Sequence, residues 1–263
     1  MNPFIRRPAK AILRDQLYSK LQKQYRKARQ FRPNSRFAKK LRYFGTAHYC
    51  PICRSHLRTL FPFGTPPRSN AQCPVCNSLE RHRLAFLFLS QKTSLLMPPK
   101  KRMLHVAPEK CLSNIFKNSR FINYISADRA HYAMLEMDLT DISFPDETFD
   151  VIYASHVLEH ILDDRKAMRE IFRVLKKNGW AILQVPINAE VTFEDPRITD
   201  PKERVHYFGQ IDHVRIYGED YYDRLNEAGF TVHREKLMLQ QNPAMTKRLG
   251  LSSKEKITFC TKA

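Results

Sequence analysis

The clearest pattern of apolar and polar positions runs from Met134 to Pro186, where strand and helix signals alternate without a gap. Met134 to Asp138 is a short, mostly apolar run that reads as a strand, and Phe144-Pro145-Asp146 turns the chain. Phe149 to Ala154 is a second run, β-branched and aromatic, as a buried strand requires. Met168, Ile171, Phe172 and Leu175 then recur at i, i+3, i+4 and i+7, which predicts a helix from an Asp163 cap to Lys177. Lys176 and Lys177 suit the negative end of its dipole, and Asn178-Gly179 supplies a left-handed stop. Trp180 to Val185 is a third apolar strand, ended by Pro186. Strand, helix and strand at this spacing make a right-handed crossover in a parallel sheet.

Two further strands precede this unit, Met103–Ala107 and Ile122–Ala127. After it come a helix over Asp220–Ala228, a turn at Gly229-Phe230 and strands over Thr231–Lys236 and Lys256–Thr261. The last two are expected to pair antiparallel at the sheet edge, with Leu237 to Ser253 a loop between them. Upstream, Asn77 and Glu80 form a capping-box-like pair opening a helix over Ser78–Ser90. Leu13, Leu17, Leu21, Tyr25, Ala28 and Phe31 recur at steps of three and four, an amphipathic helix with a Lys/Arg-rich polar face.

Charge sharpens this division. The net charge is +19, and residues 1–42 hold 14 Lys or Arg against one acid, Asp15, so the arm alone carries +13. Such an arm suits phosphates of RNA or an anionic membrane surface, or it packs its leucines at home with a solvated basic face. With 43% apolar residues the chain can bury a substantial core. It has no run of about 18 apolar residues for a membrane-spanning helix. The basic N-terminus lacks the apolar stretch of a secretory signal; a cytoplasmic protein, in one reading peripheral at a membrane, is expected, with a mitochondrial presequence as the alternative.

Four of the six cysteines form two Cys-x-x-Cys pairs, Cys50/Cys53 and Cys73/Cys76, nineteen residues apart. That spacing matches a structural zinc ribbon, with reduced or redox-paired thiols as the alternative. Four protein ligands would leave no position open for water, so the zinc is expected to be structural. Cys111 and Cys260 read as buried, unliganded thiols. The chain thus divides into an arm (1–45), a ribbon (46–77) and an α/β domain (78–263) with an insertion over 188–218.

The run D-L-T-D-I-S-F-P from Asp138, Phe149-Asp150-Val151-Ile152, Val157-Leu158-Glu159-His160-Ile161, the helix ending in Asn178-Gly179-Trp180, and Glu227-Ala228-Gly229-Phe230 arrive in a telling order. The chain from about Arg102 onward resembles the class I S-adenosylmethionine-dependent methyltransferases, particularly the type 11 group. Ser78-Leu79-Glu80-Arg81-His82-Arg83 directly after a cysteine ribbon, followed by Leu104-His105-Val106-Ala107-Pro108-Glu109, is similar to bacterial members that carry such a ribbon. The resemblance implies a Rossmann-like, mostly parallel sheet with an antiparallel edge strand, and S-adenosylmethionine as cofactor.

In such a sheet, ligands bind beyond the carboxyl ends of the strands. The expected cofactor residues are His105, Ala107 and Glu109 after the first strand, Asp128 for ribose hydroxyls, Asp138 and Leu139 for adenine, and Ser155 and His156 near the methyl group. The family's first strand ends in an acid and a glycine-rich turn; here His105 and Ala107-Pro108-Glu109 stand instead. Asp128 has a second reading, as a turn or helix cap. His156-Val157-Leu158-Glu159-His160 also matches the H-x-x-E-H zinc-protease pattern, but it follows a central strand of a parallel sheet and the motif needs a further ligand. The insertion carries Glu194, Asp195, Asp200, His206, Asp212, His213 and Arg215, and is expected to cross the site mouth; an ordinary solvated loop is the alternative. Asp212 and His213 form a candidate acid–base pair, with His156 the other candidate catalytic side chain.

These features imply methyl transfer to an oxygen or nitrogen of a glycan or small molecule. The alternatives are an RNA methyltransferase gripping its substrate with ribbon and arm, and a non-catalytic binding protein on the same fold.

Overall fold

The computed structural model describes residues 35–64, 66–130, 133–237 and 242–263. The helix expected over Leu13–Phe31, with most of the basic arm, lies outside them. Helix α1 (Arg36–Arg42) is capped by Ser35, whose Oγ accepts from the Ala38 amide at 3.2 Å. Two antiparallel hairpins follow, β1 (His48–Cys50) with β2 (Ser55–Leu57), and β3 (Phe61–Phe63) with β4 (Arg68–Gln72).

Helix α2 (Glu80–Lys92) begins two residues later than its cap signal predicts. Asn77 is spent on the ribbon: it turns left-handed at φ 59°, closing the second cysteine loop. The helix start is held by His82 instead, whose Nδ1 accepts from the Leu79 amide at 3.1 Å.

The main sheet gathers β5 (Lys101–Val106), β6 (Ile122–Asp128), β7 (Leu135–Glu136), β8 (Phe149–Ser155) and β9 (Leu175–Gln184), with α3 (Lys110–Lys117) and α4 (Asp164–Val174) in the crossovers. Beyond β10 (Ile187–Ala189), β11 (Phe193–Glu194), α5 (Pro201–Phe208), β12 (Arg215–Gly218) and α6 (Tyr221–Glu227), it is completed by β13 (Thr231–Glu235) and, after α7 (Pro243–Leu249), by β14 (Ile257–Thr261). The order is β13-β14-β9-β8-β5-β6-β7; β14 is antiparallel to both neighbours and the other pairs are parallel. This is the α/β, Rossmann-like sheet with an antiparallel edge.

Asp163 caps α4 as expected, accepting from the Lys166 amide at 2.9 Å, and the helix buries Ala167, Met168, Ile171 and Val174. Each large apolar side chain so placed stabilises the fold by roughly 1.5–3 kcal/mol. The helix stops at Val174, three residues short of the predicted end. Leu175 already belongs to β9, where Lys176–Gly179 form a bulge against β8, and Lys176 pairs with Asp150 at 2.8 Å rather than with the helix dipole.

The ribbon is not a separate globule. Cys50, Leu57, Leu60 and Cys73 share one core with Leu84 and Phe88 of α2 and with Met103, Val151, Tyr153 and Ile182 of the sheet. The opposite face of the sheet packs Leu104, Val106, Ile152, Ala154 and Leu183 against α4 and α6. Leu237–Ser253, expected as a loop, contains α7, which Asn242 caps by accepting from the amides of Ala244 and Met245. The insertion is likewise ordered: β10, β12 and β11 form a small sheet of their own.

Candidate functional site

The parallel register brings the predicted cofactor residues to one edge. Val106 pairs with Ala127 on one side and Ala154 on the other. Ala107, Asp128 and Ser155 therefore end adjacent strands, about 4.8 Å apart from one strand to the next. Asp128 pairs with Glu136, which carries the chain on to Asp138. Two residues at this edge, Ala107 (φ 46°) and His156 (φ 58°), hold left-handed backbone conformations. Such conformations in residues with a Cβ are costly and cluster at working sites.

Glu109 follows the first strand of the sheet in the glycine-free run Ala107-Pro108-Glu109, and its side chain turns inward. It accepts from His105 Nε2 at 2.8 Å, and its other oxygen lies 3.6 Å from His82 Nε2. A carboxylate only accepts, so His105 carries its proton on Nε2 and its Nδ1 takes the Tyr124 hydroxyl at 3.1 Å. Burial raises Glu109, but the hydrogen bond from His105, the largest of the opposing influences, helps hold the carboxyl below its usual range. Burial drives His82 down to about 4. His105 is fully buried and so supports the turn from below.

The remaining expected contacts differ in accessibility. Asp128 is partly exposed, and its Oδ1 accepts a long 3.4 Å hydrogen bond from the Ala130 amide. Asp138 is exposed, and its Oδ1 takes both the amide and the hydroxyl of Thr140 at 2.8 Å, which hold it below its usual value. Leu139 is buried in the core under this turn, and Ser155 is buried at its strand end.

Beyond β8 a single 3-10 turn, Leu158–His160, presents His156, Glu159 and His160 together. His156 Nδ1 lies 3.2 Å from Glu159 Oε1. Asp212 does not meet its neighbour His213: its carboxylate lies 3.3 Å from His160 Nδ1. His213 instead turns inward and is buried, stacking edge-on against His160 with ring centroids 4.7 Å apart. Burial first, then the charge of His160, lowers His213.

Sequence reading missed the clamp that holds this turn. Arg215 donates to the carbonyls of Leu158, Ile161 and Leu162 and pairs with Glu194 at 2.7 Å. Arg224 joins Glu194 at 2.9 Å and Asp164 at 3.0 Å, while the Tyr217 hydroxyl donates to Asp164 at 2.6 Å. The exposed Glu194 of the insertion and the buried Asp164 are thus both tied to buried guanidiniums. Glu255, also missed, is raised by burial against the opposing charges of His156 and Arg81.

In the ribbon the four cysteine sulfurs lie within 4.8 Å of one another. Cys50 and Cys76 are 3.6 Å apart and Cys53 and Cys73 3.7 Å, with the Ser78 hydroxyl 3.3 and 3.2 Å from Cys50 and Cys76. Thiolate is the form of cysteine that ligates metal, and here four thiols are gathered around one point. This donor set fits tetrahedral zinc. A cavity of about 180 Å³ opens between β4, the start of α2 and α7.

Residues 102–183, which span β5 to β9, match the family model described as a methyltransferase domain. YcgJ of Bacillus subtilis, an uncharacterized methyltransferase, is 36% identical over 66 residues, 23% of this chain and 26% of its own. The ubiquinone/menaquinone biosynthesis C-methyltransferase UbiE of Vibrio campbellii is 36% identical over 76 residues, 29% of this chain and 26% of its own. This chain therefore spans about a quarter of the length of these curated relatives. The crystal structure of YcgJ is similar at a TM-score of 0.42 and 17% identity, covering 68% of this chain and 94% of that one. The ribbon and the insertion lie outside the matched methyltransferase stretch.

Proposed function

We propose that the protein transfers the methyl group of S-adenosylmethionine to an oxygen or nitrogen of a glycan or small molecule, with a structural zinc ion held by Cys50, Cys53, Cys73 and Cys76. The observation that carries this reading is the alignment of Ala107, Asp128 and Ser155–His156 along one edge of the sheet. Bound there, S-adenosylmethionine supplies a methyl group already activated on a sulfonium. The weakly engaged carboxylate of Asp128 is available to ribose hydroxyls, and Asp138 has one oxygen to spare beyond its Thr140 turn for the adenine amino group. Ala107 supports close approach because only a methyl group projects from its left-handed backbone.

What the chain must add is alignment and a place for the acceptor's proton. His156 suits that role best. Its Nδ1 faces the Glu159 carboxylate, its side chain is 29% exposed, and its Nε2 is left to accept a proton. Asp212, engaged with His160, lines the same mouth. Methyl transfer from labelled S-adenosylmethionine to hydroxylated and amine acceptors tests the reading. His156→Ala should lower kcat by about 10²–10⁴-fold and leave the KM for S-adenosylmethionine nearly unchanged. Equal kcat in both proteins across pH 6–9 would remove His156 as the base. Transfer to RNA alone would instead favour an acceptor bound by ribbon and arm.

A further inference from the structure

Three donors outside the ribbon converge at the end of β8. Glu159, His160 and His213 each offer one ligand atom, and these atoms all lie within 4.8 Å of one another. Glu159 is 1% exposed, yet neither of its carboxylate oxygens receives a hydrogen bond. Among the described residues, the groups that could balance it are imidazoles: His156, with Nδ1 3.2 Å from Oε1, and the His160 and His213 rings of the same cluster. A buried carboxylate without hydrogen bonds costs several kcal/mol unless it is protonated or balanced by a cation. The backbone that presents it is fixed from two sides. Arg215 holds the carbonyls of Leu158, Ile161 and Leu162, and the Val214 amide donates to the Glu159 carbonyl at 3.0 Å, tying His213's segment to the turn.

We propose that Glu159, His160 and His213 bind one divalent first-row transition metal ion of the zinc class, at a second site separate from the cysteine ribbon. Two imidazoles and a carboxylate are a borderline donor set that suits zinc and excludes magnesium or calcium, which take all-oxygen shells. Tetrahedral bonds of about 2.1 Å place donors roughly 3.4 Å apart, within reach of small rotamer changes from the observed cluster. Three protein ligands leave coordination open, unlike the closed four-cysteine site. His156 lies against one oxygen of Glu159 and Asp212 against His160, where each orients a ligand as supporting groups around metals do. The proposal does not depend on methyl transfer, because metal is counted without turnover.

The full chain, stripped with a chelator and reloaded with zinc, should hold two ions per chain by mass spectrometry of the metal. Glu159→Gln and His213→Ala should each hold one, and His156→Ala should keep two with the second bound about 10–100-fold more weakly. Cobalt separates the sites. The thiolate-to-cobalt band of the ribbon should persist in Glu159→Gln, which also shows that the variant folds, while the visible absorption of the second ion is lost. Should Glu159→Gln fail to fold, His160→Ala, on a ring that is 30% exposed, gives the same readout. One ion per chain in the unaltered protein, or two ions held equally by every variant, would overturn the proposal.

Discussion

Replacing Arg83 tests how the ribbon is joined to the α/β body. The Arg83 side chain is fully buried. Its Nε donates to Leu249 O at 2.7 Å, Nη1 to Ser78 O at 2.8 Å, and Nη2 to Ala71 O at 3.0 Å and to Gly250 O. One guanidinium thus satisfies carbonyls from the β4 end, the ribbon–α2 junction and the segment after α7. Hydrogen bonds to a charged group contribute about 1.5–3 kcal/mol each, and the carbonyls left behind would be buried without partners. Arg83→Met fills most of the volume and removes every donor, so the expected loss is about 3–5 kcal/mol. Arg83→Lys keeps the charge but not the planar fork, and about half that loss is expected. In urea unfolding at fixed zinc concentration, with a slope of roughly 3 kcal/mol per M, the Met variant's midpoint should fall by about 1–1.5 M. A midpoint within 0.3 M of the parent protein (about 1 kcal/mol at that slope) would refute the reasoning, because the guanidinium would then be replaceable by packing alone.

Other outcomes follow from the strand-end turn and its support. Ala107→Gly should stabilise the fold by about 0.5–1 kcal/mol, since relief of the left-handed strain exceeds glycine's extra unfolded-state entropy; thermal unfolding reads the difference, and a lower melting temperature would contradict it. His82 is held near 4 against an ordinary 6.5, so the unfolded chain takes up its proton first as pH falls. Its contribution, roughly 3 kcal/mol, is fully present above pH 6.5 and is lost between pH 6.5 and 4. His82→Asn can keep the acceptor for the Leu79 amide but cannot titrate, so its stability should change less across that window; parallel curves would contradict this.

Much of the sheet was legible because its signals are local. Phe149 to Ala154 is apolar at nearly every position, as a strand buried on both faces demands, and Asp163 with its i, i+4 stripe defined α4 from one end. The far end of α4 was misread because Lys176 and Asn178 satisfy a helix stop and a β-bulge equally well; pairing with β8, which no local signal encodes, decided between them. The alternative of a solvated loop for the insertion rests on charged residues such as Glu194 and Arg215, and only tertiary contact pairs these two with each other and with Asp164 and Arg224 outside the insertion. At the site, spacing along strands places Ala107, Asp128 and His156 after neighbouring strands, and the pairing of Val106 with Ala127 and Ala154 sets those strand ends side by side. Side-chain direction was beyond its reach: Asp212 turns to His160 and Glu109 to His105, through contacts set by neighbouring elements.

The central claim is that this edge of the sheet is an adenosyl site despite its lack of glycine. Calorimetric titration of the full chain with S-adenosylmethionine tests it most directly. One site per chain is expected, with affinity falling at least about tenfold, or 1.4 kcal/mol, in Asp128→Ala. The absence of binding heat at several temperatures, or binding that Asp128→Ala leaves unchanged, would contradict the account.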